Sequence, residues 1–109
     1  MLPEAASVAP PPDPASLTLS GYLDQWLSHS RGRVRAKTHD GYAGLIRLYA
    51  APALGRVPLS DLRPLDLQRL YGQCLERGLS GGTVLNLHLV LTQALGQAVR
   101  WGLIGVKPA

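Results

Sequence analysis

Phenylalanine is absent from this 109-residue chain, and only two Trp and four Tyr stand in its place. The interior must therefore be built from Leu, Val, Ile and Ala with those few rings. Leu and Ala favour helix, and β-branched residues are scarce here. A single cysteine, Cys74, excludes an internal disulfide and any zinc site built on cysteines. This usage fits a reducing cytoplasm. The start, Met1-Leu2-Pro3-Glu4, has neither the basic region nor the apolar run of a secretory signal. The longest apolar stretch, 84–106, is broken by Asn86, His88, Gln93, Gln97 and Arg100. A membrane span avoids such groups, so this stretch reads as a buried helix. No alternating run bounded by hairpin turns occurs, which leaves no strand to expect, and no internal repeat is present.

Acidic groups are also few. Seven Asp and Glu face 11 Lys and Arg, for a net charge of +4 and a sequence pI of about 9.7. The distribution is uneven: the first 20 residues hold Glu4, Asp13 and no basic group, so every Lys and Arg lies beyond them. A folded part this basic suits a polyanion, nucleic acid first and an anionic membrane second.

What is present divides into a tail and one domain. Residues 1–16 hold five of the nine prolines and read as a disordered, partly polyproline-II tail. Residues 17–109 read as one all-α domain with four main helices at about 18–29, 36–50, 64–77 and 80–101. In the first, Leu19, Tyr22, Leu23, Trp26 and Leu27 share one face, and Thr18 or Ser16 can cap it. The second presents Tyr42, Leu45, Ile46 and Tyr49, is weakened by Gly41 and Gly44, and is expected to stop at Pro52 and Gly55. The third opens on Pro64, buries Leu67, Leu70, Tyr71, Cys74 and Leu75, and ends at Gly78. The fourth, capped by Ser80, is apolar almost all round, which predicts a central position. Asn86, Gln93, Gln97 and Arg100 form its narrow polar stripe. The four tyrosines fall on apolar faces and read as core. Cys74 reads as a buried small hydrophobe, and His88 as structural.

The landmarks stand in a distinctive order. They run Leu19-x2-Tyr22-Leu23-x2-Trp26-Leu27, then Lys37-Thr38-x3-Tyr42-x3-Ile46, then Pro52-x-Leu54-Gly55-x2-Pro58-Leu59-x2-Leu62-x3-Asp66-Leu67. After these come Gly78-Leu79-Ser80-x2-Thr83-Val84 and Leu91-x3-Leu95-x2-Ala98-x2-Trp101-Gly102-Leu103-Ile104. In this order they resemble the core-binding domain of tyrosine recombinases and phage integrases, a SAM-like orthogonal helical bundle, over residues 17–108. Two departures are small: Lys107-Pro108 stands where the family often has Asn-Pro, and Arg63 stands where a capping Ser or Thr is usual. The family's catalytic residues, including a His-x-x-Arg motif and a tyrosine nucleophile, belong to a separate C-terminal domain. Here His29, His39 and His88 are followed three places on by Gly32, Tyr42 and Leu91, so the motif is missing from these residues. The resemblance thus implies DNA binding without catalysis, in DNA integration or recombination. It implies no metal and no cofactor. Its implied partners are duplex DNA, the parent's catalytic domain and other recombinase protomers on DNA.

The resemblance also implies that the second and fourth helices face DNA. Arg31, Arg33, Arg35 and Lys37 then supply phosphate contacts. Independently, four like charges within seven residues, with no acid among them, repel unless an anion neutralises them. Thr38 and Arg47 add a hydroxyl and a charge on the second helix. Ser80, Gly81, Gly82 and Thr83 form a helix start suited to a phosphate. Asn86, and more remotely Gln93, are candidates for base edges. Two other readings stay open: a helical protein-interaction module, and a regulator derived from a truncated integrase.

Overall fold

Helices begin in this chain where a side chain can accept their free N–H groups. Thr18 accepts from Gly21 N–H at 3.1 Å, and Ser80 accepts from Thr83 N–H at 3.1 Å. Arg63 has no acceptor to offer. The cap there is half of a box, with the Asp66 carboxylate accepting from Arg63 N–H at 3.0 Å. The computed structural model describes residues 17–105. The expected tail, 1–16, lies outside the described residues. The helices are α1 (Leu19–Ser30), α2 (Ala36–Leu45), α3 (Ala51–Leu54), α4 (Pro64–Glu76) and α5 (Gly81–Arg100). A π-helical turn (Ile46–Ala50) joins α2 to α3, and a 3-10 turn (Leu59–Asp61) precedes α4. Among the described residues there is no strand, only isolated bridges at Thr18–Pro58 and Arg31–Val34.

The expected stop at Pro52 is wrong. Helical backbone continues from Ala36 through Pro52 to Leu54, and only Gly55 ends it. A proline inside an α-helix lacks one N–H and clashes with the carbonyl four residues back. The π turn resolves the conflict: just before Pro52, Ala51 N–H bonds five residues back to Ile46 O. Gly78 ends α4 as expected. At φ 92° it occupies the left-handed region, and Leu79 N–H then reaches Cys74 O at 3.1 Å.

The α1 face emerges as expected, with Leu19, Tyr22, Leu23, Trp26 and Leu27 all buried. It packs with Leu59, Leu67, Leu70, Leu87, Leu91 and Leu95 into one core. Tyr22 donates its hydroxyl to Ala94 O in mid-α5, and burial pushes its pKa well above the ordinary tyrosine value. Tyr71 meets His88 Nδ1 at 3.2 Å and is pushed up to about 12, by burial first and by Cys74 second. Cys74 is buried, in line with its reading as a small hydrophobe.

Three core assignments need correction. In the second helix the buried line is Ala43, Ile46 and Ala50, while Tyr42, Leu45 and Tyr49 are only partly covered. Leu75 is 52% exposed, because α4 meets α5 along the Leu67–Leu70–Tyr71–Cys74 face and, among the described residues, Leu75 lies off it. Nor is α5 enclosed. Leu87, Val90, Leu91, Ala94, Leu95 and Ala98 are buried, but Leu85 and Leu89 are 55% and 49% exposed. So few elements cannot wrap a helix on all sides, so an all-apolar helix keeps an outer face.

A short connector clamps the start of α1. Leu19 N–H bonds to Val57 O at 2.9 Å, Ser20 N–H to Gly55 O at 3.0 Å, and Leu59 N–H to Leu17 O at 2.7 Å. These satisfy N–H groups that a helix start leaves open. The approach is close enough to require glycine. A Cβ on Gly55 would collide with Ala51 O and lie 3.1 Å from Ser20 Cβ.

Candidate nucleic-acid interface

The cations of the 31–37 segment sit between α1 and α2 because α1 ends before them. Arg31 N–H bonds back to Leu27 O and Ser28 O, closing the helix, and the chain turns outward. Arg31, Arg33, Arg35 and Lys37 are all exposed. The loop is pinned from both ends. Arg33 Nε donates to His29 O at 3.1 Å, and His39 Nε2 donates to Leu27 O at 2.8 Å. A carbonyl only accepts, so that ring nitrogen carries the proton.

Thr38 and Asn86, 48 positions apart in sequence, line one groove between α2 and α5. Its volume is about 350 Å³, and Tyr42, Leu45, Leu89 and Val90 make its walls largely apolar. Gln93 closes one end, where Tyr42 hydroxyl lies 3.5 Å from its Oε1. Trp26 stacks on Tyr42 with ring centroids 5.7 Å apart, which fixes the groove wall to the core.

A second, more polar cleft of about 430 Å³ lies between α1 and α5. Arg33 enters it from the loop, and His29, Gln93, Gln97 and Arg100 share it. Arg100 donates to Gln97 Oε1 at 2.9 Å. The His29 ring meets Trp101 edge-on, with centroids 4.9 Å apart. Thr92 also lines this cleft, and its hydroxyl oxygen is buried with no hydrogen-bond partner.

The expected site residues therefore fall into separate groups. Thr38 and Asn86 are brought together. Arg33 joins the α1–α5 cleft. Arg31 borders a small hollow with Gly32, His39 and Asp40. Arg35, at the N-cap of α2, and Lys37, in its first turn, are exposed. Ser80, Gly81, Gly82 and Thr83 form the start of α5, where Ser80 Oγ is already occupied by Thr83. Arg47, on the π turn, is exposed and borders neither groove. His29, Gln97 and Arg100 are the residues missed. The polar stripe of α5 carried the signal, but its neighbour across the cleft is set by tertiary packing. Among the described residues no group of three or more His, Cys, Asp or Glu is placed to hold a metal, and no helix is long and apolar enough to cross a membrane.

The sequence profile of the phage integrase N-terminal SAM-like domain matches residues 18–73. Two solved structures, both by solution NMR, are similar over most of their length. The integrase-like domain from Bacillus cereus is 26% identical with a TM-score of 0.82, covering 88% of this chain and 81% of its own. The phage integrase SAM-like domain from Moorella thermoacetica is 38% identical with a TM-score of 0.75, covering 89% of this chain and 84% of its own. No protein of curated function matches.

Proposed function

Because the chain belongs to the family of phage integrase N-terminal SAM-like domains, we propose that it grips duplex DNA as one half of a clamp. The other half is the catalytic domain of a site-specific tyrosine recombinase, and this domain contributes binding without chemistry. One observation carries the reading. The exposed cations of the 31–37 segment run directly into α2, whose Thr38 lines one groove with Asn86 of α5. Cations on phosphates supply affinity, and amides in a groove supply contacts to base edges.

A duplex titration across salt tests this. Binding at about 50 mM salt that weakens by an order of magnitude or more at about 200 mM is the expected result. Replacing Arg33, Arg35 and Lys37 together with Ala lowers the slope of log K against log salt by up to about three. Salt-insensitive binding, or an unchanged slope, would overturn the reading. The isolated domain binds weakly, since half a clamp lacks the avidity of two joined modules.

A second reading, a helical protein-interaction module, has its own observation: Leu85 and Leu89 are exposed one turn apart on α5. It predicts association that tolerates salt and ignores DNA. Sedimentation with and without duplex separates the two.

A further inference from the structure

The cleft between α1 and α5 gathers chemistry that the fold does not require. Arg33 arrives from the loop and Arg100 from the last turn of α5, and no carboxylate lines the space between. Two guanidiniums bordering one hollow repel each other, and an anion lodged between them reverses the sign of that interaction. Each arginine is held by one hydrogen bond, Arg33 Nε to His29 O and Arg100 Nη2 to Gln97 Oε1. A guanidinium carries five N–H donors, so most of each fork remains for a ligand. Gln93 and Gln97 add carboxamides, and His29 adds an imidazole. The cleft is wide and open to solvent, which suits a phosphate carried on a polymer.

We propose that this cleft seats a single phosphate of the DNA backbone, gripped from two sides by Arg33 and Arg100. The inference rests on the DNA-binding reading and extends it. The footprint then runs from the 31–37 loop to the C-terminal end of α5, well beyond the helix start at Ser80.

Two arginines on one phosphate act as a unit, and this sets the test. Duplex affinity of the full chain is measured for the parent, Arg33→Ala, Arg100→Ala and the double variant, with Arg69→Ala on α4 as control. Each cleft variant should weaken binding by about 3- to 10-fold. The double variant should lose much less than the product of the two, and the control should lose less than twofold. Arg100→Lys, which keeps the charge at the end of α5, should recover part of the loss and guards against misfolding. Multiplicative losses, or no loss for Arg100→Ala, would overturn the shared seat while leaving DNA binding in place. A parallel NMR titration with inorganic phosphate separates the two ideas. Shifts at His29, Arg33, Gln97 and Arg100 without any duplex binding would keep a phosphate seat and reject the DNA reading. If neither probe moves these residues, both are rejected.

Discussion

Two regions of the molecule are held by opposite means. The α1 start and the 55–59 connector are locked by backbone hydrogen bonds over a bed of leucines, with Gly55 admitting no side chain. The 31–37 segment carries exposed cations and is fastened at its ends by Arg33 to His29 O and His39 to Leu27 O. The difference separates stability from recognition. Damage to the first region should unfold the domain, whereas damage to the second should leave a folded domain that has lost its ligand.

Substitutions in each region test that separation. The largest effect belongs to the core. Leu91→Ala, at a fully buried site on α5, should cost about 2–5 kcal/mol in denaturant unfolding. Gly55→Ala follows, at about 1–3 kcal/mol, because the new Cβ collides with Ala51 O of the preceding turn and crowds Ser20 of α1. If Gly55→Ala stayed fully stable, the connector would not be the clamp described.

Alkaline pH gives the next effect. Tyr71 ionises near 10 in the unfolded chain and is pushed up to about 12 in the fold. The unfolded state therefore releases its proton first. The contribution is complete below pH 10 and is lost as pH rises from about 10 to 12. Tyr71→Phe should flatten part of this loss in a pH series of thermal melts.

Asn86→Ala, by contrast, should weaken duplex binding by about 3- to 10-fold and leave the melting temperature within a degree or two. A fall in stability comparable to that of Gly55→Ala would erase the contrast. Smallest is Thr92→Val, which removes a buried hydroxyl without a partner and should raise stability by about 1 kcal/mol or less.

What sequence alone made legible was local. The α1 stripe, the caps at Thr18 and Ser80, and the stop at Gly78 depend on residues within a turn of one another, and the structure agrees with each. What was illegible depended on neighbours far along the chain. Leu75, Leu85 and Leu89 have the right spacing for burial, but no element among the described residues covers them. Pro52 is a reliable helix stop only when the turn before it is regular, and the π turn is not announced by Ile46-Arg47-Leu48-Tyr49-Ala50. Arg33 and Arg100 are 67 positions apart, and only the packing of α1 on α5 gives them a common cleft. The loop charge was visible. The face it shares with the end of α5 was not.

The π turn has a further consequence for how the two regions are coupled. Such a turn absorbs one residue more than regular helix does, so the backbone after it lags by roughly 100° of rotation at 3.6 residues per turn. The α2 end carrying Lys37 and Thr38 is thereby set in azimuth independently of the end that carries Ala50 into the core. The turn is a phase adjuster between the two ends of one continuous helical segment. Deleting one residue within 46–50 would leave both ends helical and swing Thr38 out of line with Asn86.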